Sequence, residues 1–377
     1  MQINFADAGA PSNIAASCSA SGEPLNSQPT PIPKIHADKA TWQRIVAEYQ
    51  QPSTARALWQ VANTLVPYAA LWVLMYFSLK VSWWLTMPVA ILAGAFLVRI
   101  FIIFHDCGHG SFFPSKRAND VLGFITGVLT FTPYYQWRWE HAIHHGTTGH
   151  LDKRGTGDVW TMTIQEYIDA PWWKRWSYRL MRNPFFLLLI APFFLFVVLQ
   201  RIPSTQGRRE RRSVWWMNLA VALFVAAMCW IFGIKAYLFA QLIVTMTAGA
   251  GGVWMFYVQH QFEDAYWERG DDWDYTAAAL QGSSFYKLPA VLQWFSGNIG
   301  FHHIHHLSPR IPNYNLQRCH DADPIFRQIM PITFGSSLKT LALRLWDEEA
   351  KKLTGYRKMR QRRKKQRDDL EKRETKR

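Results

Sequence analysis

The sequence predicts an all-α integral membrane protein with four transmembrane helices in two hairpins, further interfacial or re-entrant helices, and a cytoplasmic helical cap that carries a metal site. Three observations support this fold class. Four apolar runs each approach the roughly 20 residues that a helix needs to cross a hydrocarbon layer. The mean hydropathy of -0.12 averages these runs with very polar ends, and aromatic residues, including 19 Trp, make up 15% of the chain. Nine of the 13 histidines lie in three short motifs.

Residues 1–34 are rich in Ala, Ser and Pro and have no periodic apolar pattern, so we expect a disordered tail. No basic residue precedes Lys34 and there is no apolar core run, which excludes a secretory signal peptide and argues against an organelle transit peptide. Residues 35–345 are expected to form the membrane domain. Its first part, residues 36–58, is interpreted as an amphipathic segment at the membrane surface.

The first two predicted spans are residues 61–79 and 83–104. The short connection between them forces a helical hairpin. Arg99 lies about one turn before the predicted end of the second span, where its long side chain is expected to reach the membrane interface. The first histidine motif follows immediately and is therefore expected at the membrane surface.

Residues 121–133 are apolar but too few to span the bilayer, and Gly123 and Gly127 interrupt them. We interpret this run as an interfacial helix. An aromatic cluster that suits the headgroup region leads from it to the second histidine motif and comprises Tyr134, Tyr135, Trp137 and Trp139.

The apolar run at residues 185–199 decides the topology, because its length is marginal for a span and Pro192 interrupts it. Basic residues flank it on both sides, namely Lys174, Arg175, Arg179 and Arg182 before it and Arg201, Arg208, Arg209, Arg211 and Arg212 after it. Short loops rich in Lys and Arg stay on the cytoplasmic side. The run is therefore expected to enter and leave the membrane on that side.

Residues 214–232 and 236–258 are predicted to form the second hairpin. Four spans then place both termini and all three histidine motifs in the cytoplasm. This count agrees with the chemistry, because side chains that bind one metal centre must lie on one side of the bilayer. A spanning segment at 185–199 would separate the third motif from the first two.

The carboxyl-terminal part of the chain, residues 346–377, is expected to be a basic tail. From Asp347 onward it holds 14 Lys or Arg against seven Asp or Glu. A solvated tail is the simplest interpretation. Attraction to anionic lipid or to an acidic electron-transfer partner is the alternative. We do not expect nucleic-acid binding.

The three histidine motifs have the patterns HxxxH, HxxHH and HxxHH. Histidines four residues apart on a helix project from one face, where both imidazoles can reach the same ion. Three such motifs predict a multi-imidazole metal site. His260, two residues after the fourth predicted span, is either an interfacial residue or a ninth ligand.

The ligand set restricts the kind of metal site. Structural zinc is satisfied by four ligands and usually recruits thiolates, whereas about eight imidazoles suffice for two ions with positions left open. Imidazole suits zinc, copper, iron and nickel, so ligand type alone does not select the metal. A zinc protease would need HExxH, and the first motif has Asp106 at the position of the glutamate. Oxygen chemistry on an apolar substrate fits better.

In their context the motifs are His105-Asp106-Cys107-Gly108-His109-Gly110-Ser111-Phe112-Phe113, Trp139-Glu140-His141-Ala142-Ile143-His144-His145, and Gly297-Asn298-Ile299-Gly300-Phe301-His302 onward to Pro312. In order, spacing and topology the chain resembles the membrane fatty acid desaturases over roughly residues 55–320. Within them it is most similar to the acyl-lipid subgroup that includes bacterial and cyanobacterial delta-12, or omega-6, desaturases, which implies a bacterial cytoplasmic membrane.

The resemblance implies a centre of two iron ions, with His260 as the extra histidine after the fourth span. The other ligands that it implies are His105, His109, His141, His144, His145, His302, His305 and His306. His303 is left out because it faces away from the ligand stripe. The implied reaction is the O₂-dependent removal of two vicinal hydrogens from an acyl chain, and the likeness to the acyl-lipid subgroup favours lipid-bound chains as substrate. In the animal acyl-CoA branch an asparagine one turn before the extra histidine helps hold a water. Here that position is Phe256, and Gln259 or Asn298 could substitute.

Carboxylates near the motifs are candidates to accept hydrogen bonds from the imidazoles and so orient them, namely Asp106, Glu140, Asp158, Glu263 and Asp264. The acyl chain is expected in an apolar tunnel, with its headgroup at the cytoplasmic interface. No flavin or nicotinamide fingerprint is present, so an external electron donor is implied, either a ferredoxin or a small cytochrome.

Three other functions stay open at this stage. A hydroxylase or other oxygenase on the same scaffold would differ only in inserting oxygen. A membrane metal transporter would place its histidines near the middle of the bilayer, whereas here they flank the spans. A binding or sensor protein would need fewer ligands and no lipid tunnel.

Overall fold

The structure is a computed structural model that describes residues 39–204 and 207–374. The expected disordered tail at residues 1–34 lies outside the described residues. The described chain is mostly helical, with helices α1 (Lys39–Ala47), α2 (Thr54–Val81), α3 (Trp83–His109), α4 (Lys116–Leu129), α5 (Tyr134–Thr147), α6 (Ile164–Asp169), α7 (Trp172–Met181), α8 (Phe186–Arg201), α9 (Arg208–Phe232), α10 (Ile234–His260), α11 (Tyr275–Gln281), α12 (Ala290–Phe295), α13 (His302–Leu307), α14 (Asn313–Ala322), α15 (Pro324–Arg327), α16 (Phe334–Ser337) and α17 (Tyr356–Glu374).

Five short strands complete the secondary structure, namely β1 (Met162–Thr163), β2 (Phe285–Lys287), β3 (Pro331–Thr333), β4 (Leu345–Asp347) and β5 (Lys352–Thr354). Strand β4 pairs in parallel with β1 and antiparallel with β5, while β2 and β3 form a separate parallel pair. The β1–β4 and β2–β3 pairs join segments distant in sequence, whereas β4 and β5 form a local hairpin. The predicted helical fold class is unchanged.

Four described helices, α2, α3, α9 and α10, are long and apolar enough to cross a membrane. Each of these helices contains one of the four predicted spans. Counting both ends, each helix is at least one turn longer than its span. Helix α3 is the central one, because 56% of its most apolar window is buried against 11% for α9. It packs against α2 on one side and α10 on the other.

The segment expected to be interfacial or re-entrant at residues 185–199 corresponds to α8, an irregular helix. It contains the π-helical stretches Phe186–Ile190 and Phe194–Val198 on either side of the short α-helical piece Ala191–Phe193. Pro192 cannot donate a backbone hydrogen bond, which accounts for the break in the regular ladder. A fifth candidate span arises only if α7 and α8, bent by 65° relative to each other, are counted as one.

The first hairpin turns on one residue, Ser82. Its hydroxyl accepts a hydrogen bond from the Trp84 backbone N–H and thereby caps α3. Ser78 and Thr86 are hydrogen-bonded across the turn, Oγ to Oγ1, at 2.9 Å. The predicted three-residue connection is therefore too long, because α2 continues to Val81.

The expectation that Arg99 extends to the interface is wrong. Its side chain is buried between α2, α3 and α12, where Nε donates to Thr64 Oγ1 at 3.1 Å and Nη1 donates to the Trp294 carbonyl. The guanidinium also lies over the Trp294 ring, 4.0 Å from its centroid. Helix α3 runs on to His109, so Arg99 is almost three turns from its end and must find its partners inside the protein.

The second hairpin, between α9 and α10, turns at Gly233, whose φ of 81° is in the region that favours glycine. Beyond α10 the chain forms a cap of short helices over one end of the bundle. Helix α1 belongs to this cap, since Trp42 and Val46 are buried against Ile304 and Leu316. The interpretation of residues 36–58 as a membrane-surface segment stays a prediction.

The basic tail predicted for residues 346–377 begins later than expected. Trp346 and Leu353 are buried, because β4 and β5 pack into the cap. The exposed basic residues Arg357, Arg360 and Arg363 lie beyond these strands, on α17. The composition of this segment does not predict the β4–β5 hairpin, because the hairpin is short and contains charged residues.

The contact between α4 and α5 gives a stability test. A methyl group at Gly123 would overlap the buried Tyr134 ring, 2.7 Å from Cζ, and Tyr134 is held by a 2.6 Å hydrogen bond to the Cys107 carbonyl. We expect Gly123→Ala to cost about 1–3 kcal/mol and to lower the thermal unfolding midpoint in detergent. Gly146→Ala is the control, because no heavy atom lies within 4 Å of the added methyl. Equal midpoints for the two variants would contradict the packing argument.

Candidate metal centre

Four helices bring their histidines to one end of the bundle. His105 and His109 are in the last turns of α3, His260 ends α10, and the second and third motifs lie on α5 and α13. The i, i+4 spacing aims the paired rings of each helix toward the same space, as predicted. All nine candidate ligands meet there, at the ends of the spanning helices and away from their middles.

The nine side chains form two groups, and within each group one ring nitrogen per histidine lies within 4.8 Å of all the others. The first group consists of His105, His109, His141, His145 and His305. The second consists of His144, His260, His302 and His306. The groups adjoin, since the rings of His145 and His306 are stacked with centroids 4.1 Å apart. Motif membership alone did not reveal this division, which separates the neighbours His144 and His145.

The nitrogens within a group approach each other closely. In the first group Nε2 of His141 is 3.1 Å from Nε2 of both His105 and His145. In the second group Nε2 of His260 is 3.2 Å from His144 and 3.0 Å from His302. Nitrogens bound at right angles to an ion at about 2.1 Å would be about 3.0 Å apart. The arrangement therefore fits a metal ion in each group.

Electrostatics also favours the metal-binding form of these rings. Burial, reinforced by neighbouring imidazoles, lowers the pKa of His141, His145, His302, His305 and His306 well below the usual histidine range. The neutral imidazole is the form that binds a metal. Five and four imidazoles also differ from typical structural zinc sites, where thiolates are common and four ligands suffice.

Two of the predicted carboxylates contact imidazoles. Asp106 Oδ1 is 3.0 Å from His105 Nδ1, and its Oδ2 accepts hydrogen bonds from the backbone N–H and side-chain amide of Asn313 at 2.6 and 2.8 Å. Asp158 Oδ1 is 2.7 Å from His144 Nδ1. A carboxylate on Nδ1 fixes the orientation of the ring and leaves Nε2 directed at the ion.

The other predicted orienting residues do not contact the histidine groups. Glu263 and Asp264 are about half exposed and pair with Lys358 and Lys352, because they lie in the turn after α10 that faces solvent. Glu140 is hydrogen-bonded to the Ser204 hydroxyl.

The side-chain amides of Gln259 and Asn298, which were proposed to replace the water-holding asparagine, donate hydrogen bonds to backbone carbonyls instead. Gln259 donates to the Ile299 carbonyl at 2.9 Å, and Asn298 donates to the Asn313 carbonyl at 3.3 Å. Phe256, at the asparagine position, packs against His144 and His260, with each pair of ring centroids 5.2 Å apart.

Sequence reasoning missed three groups that support the site. Asn313 ties Asp106 to α14, and the Gly282 carbonyl lies 3.3 Å from His260 Nδ1. Trp137 stacks on His141 with centroids 4.4 Å apart. The pair Pro312-Asn313 at the start of a helix was the available signal for Asn313. A backbone carbonyl leaves no signal in the sequence.

Three further histidines are placed outside the two groups. His303 and His320 pair with each other at 3.1 Å between Nε2 and Nδ1. His150 accepts a hydrogen bond from the Asp152 backbone and stacks on Trp273. The omission of His303 from the ligand set agrees with this placement.

An apolar cavity of about 270 Å³ leads to the two groups. Its polar end includes His105 and His141 from the first group and His302 from the second. Its walls come from α3, α8, α10 and the end of α4, and include Leu97, Phe101, Leu129, Leu195, Val253 and Phe256. Along α10 it extends from Gln259 to Thr245, about 21 Å of helix at 1.5 Å per residue. A long, unbranched apolar molecule fits this shape.

Comparison with known proteins agrees with the site. A family model described as fatty acid desaturase matches residues 82–331. A Bacillus subtilis (strain 168) protein named fatty acid desaturase is 49% identical over 313 residues, which cover 83% of this chain and 89% of that protein.

Two Synechocystis proteins are similar at lower identity. An sn-1 acyl-lipid omega-3 desaturase (ferredoxin) is 30% identical over 64% of this chain and 68% of its own length. An sn-1 oleoyl-lipid 12-desaturase is 27% identical over 68% and 71%, respectively.

The orienting carboxylate of His144 can be tested by metal binding. Asp158→Asn keeps the shape of the side chain but weakens the acceptor on Nδ1, so we expect metal affinity to fall by about 10–100-fold. The measurement is metal content after equilibration with a competing chelator. Asp264→Asn, on the exposed carboxylate, should leave metal content unchanged. Equal affinity in the two variants would show that Asp158 does not orient His144.

Proposed function

The chain belongs to the fatty acid desaturase family and is a fatty acid desaturase, and from this premise we propose that it introduces a cis double bond at the delta-12, or omega-6, position of acyl chains in membrane lipids, using O₂ and two iron ions. The apolar cavity that ends at both histidine groups carries this proposal. The names of the acyl-lipid relatives support lipid-linked chains as substrate.

The first histidine group would hold one iron and the second group the other. Imidazole suits iron, and a five-imidazole set favours an ion with a coordination number above four. Bound iron would supply the O₂-dependent oxidation of a methylene pair that offers no group for acid–base chemistry. Asp106 and Asp158 would keep His105 and His144 in the orientation that directs Nε2 toward the metal.

The remaining side chains of the cavity would position the substrate. The acyl chain of the substrate would lie along α10, with its reacting carbons beside His141 and His302. Both histidines line the same end of the cavity. Trp137 and Phe256 cover the histidines with aromatic surface and would exclude water from the reacting carbons. The cavity walls would decide which carbon pair is oxidised, because their apolar contacts would set how far the acyl chain enters the cavity.

The histidine centre and both termini would face the cytoplasm, with residues 35–345 as the desaturase domain between an amino-terminal tail at 1–34 and a basic carboxyl-terminal segment. The basic residues that flank α8 support this orientation by the positive-inside rule. Electrons would come from a ferredoxin or a small cytochrome. One relative carries ferredoxin in its name, and the exposed arginines of α17 would attract an acidic donor.

Heterologous expression followed by a fatty-acid profile of the membranes tests the reaction. We expect a new cis double bond with the wild-type chain, and a hydroxylated product would replace the proposal by an oxygenase. His260→Ala should abolish the product and reduce bound iron from about two ions to about one, because it removes a member of the four-imidazole group only. His303→Gln, in the third motif but outside both groups, should keep two irons. Two irons in His260→Ala would contradict the assignment.

The donor surface can be tested without disturbing the fold. Removing residues from 351 onward would delete β5, so substitutions on α17 are preferable. Replacing Arg357, Arg360 and Arg363 by Gln should raise the Michaelis constant for an acidic donor several-fold at low salt and flatten its salt dependence. Lys at the same three positions keeps the charge and is the control. An unchanged constant in the Gln variant would exclude α17 as the docking site.

A further inference from the structure

Two further cavities lie on the protein surface, between α4 and the first turns of α9. Their volumes are about 680 and 510 Å³, and they adjoin at Phe124 and Tyr135, which line both. We call the two adjoining cavities together the α4–α9 groove. It shares no lining residue with the acyl-chain cavity, and none of its residues belongs to a histidine group.

The groove is positively charged along both walls. Lys116 and Arg117 stand on the α4 side, and Arg208, Arg209 and Arg212 stand on the α9 side. Its one acidic lining residue, Asp120, is already engaged by Lys116 at 2.9 Å, by Arg138 at 3.4 Å and by the Tyr134 hydroxyl at 3.3 Å.

The groove also contains aromatic surface and cations held in place. The Arg209 guanidinium lies 3.9 Å from the centroid of the Tyr135 ring, and the Tyr135 backbone N–H donates to Ser213 at 3.0 Å. These contacts fix α9 against the start of α5. Arg208 and Arg212, one helical turn apart, are exposed and can present guanidinium groups side by side to one phosphate.

The apolar part of the groove continues onto a membrane-spanning helix. Val121 and Ile125 of α4 are 54% and 48% exposed, and Trp216 of α9 is 60% exposed. Leu219 and Leu223, farther along α9, are also exposed and lie in the stretch that would face hydrocarbon. The order along α9 is thus arginine, tryptophan, leucine, which matches headgroup, interface and acyl region.

We propose that the α4–α9 groove binds an anionic phospholipid, with its phosphate between Arg117, Arg208 and Arg212 and its acyl chains along Trp216 and Ile125. Charge complementarity favours an anion, and the apolar surface below the cations favours a lipid over a soluble acidic protein, which could not cover surface at the depth of the hydrocarbon. The site is distinct from the substrate cavity, so this lipid is a bound partner and not the acyl chain being oxidised.

Native mass spectrometry of the full-length enzyme in detergent tests the proposal. Equimolar phosphatidylglycerol and phosphatidylcholine with identical acyl chains are added, so binding in the acyl cavity favours neither. We expect wild type to retain phosphatidylglycerol preferentially. The Arg208→Gln/Arg212→Gln variant should reduce that preference about tenfold or more, since each basic residue near the headgroup contributes to binding. Arg117→Gln, on the opposite wall, should reduce it as well if the phosphate lies between the walls.

Arg211→Gln is the matched control, because Arg211 is exposed on the same turn of α9 but does not line the groove. It should retain the wild-type preference, and the groove variants should still form the double bond. An equal preference in wild type and the double variant would overturn the proposal. So would displacement of the lipid by inorganic phosphate alone, which would indicate a free-anion site, or a charge-dependent dimer, which would indicate a second copy in the groove.

Discussion

The structure depends on the need to hold nine imidazoles in contact with one another. Nitrogens of neighbouring rings lie 3.0–3.2 Å apart in both groups. Protonated rings at such distances would repel one another strongly in a buried environment. Burial lowers the pKa of His141, His145, His302, His305 and His306 and so favours their neutral form, which can bind cations. The cap of α13, α14 and α1 provides this burial, which explains why a membrane enzyme builds a second, polar layer of short helices over its spans.

The four apolar helices and the convergence of the nine histidines could be predicted because long apolar runs and HxxxH-type spacings are local patterns. The division of the ligands into two groups could not be predicted, because it places His144 and His145, adjacent in sequence, on different sides of the centre. The side chains of these two residues project from α5 in directions about 100° apart. Which partners each ring meets is decided only by the positions of α3, α10 and α13.

The predictions that failed rest on two inferences, one of burial from composition and one of closeness in space from closeness in sequence. Arg99 was placed at the interface because a cation is costly in hydrocarbon, yet Thr64 and Trp294 satisfy it inside the bundle. Glu263 and Asp264 were chosen for closeness in sequence to His260, yet the chain turns outward after α10. The β4–β5 hairpin is hidden in a charged segment because its large buried apolar side chains are few, namely Leu345, Trp346 and Leu353.

The hydrogen bonds from Asn313 to Asp106 join residues 207 positions apart and belong to a site whose ligands run from His105 to His306. Both hairpins and the chain as far as α13 must therefore be synthesised before either histidine group is complete. Until then the early histidines lack their partners. Loading of a metal ion would consequently be a late event, and a nascent chain arrested before α13 would lack the means to retain one.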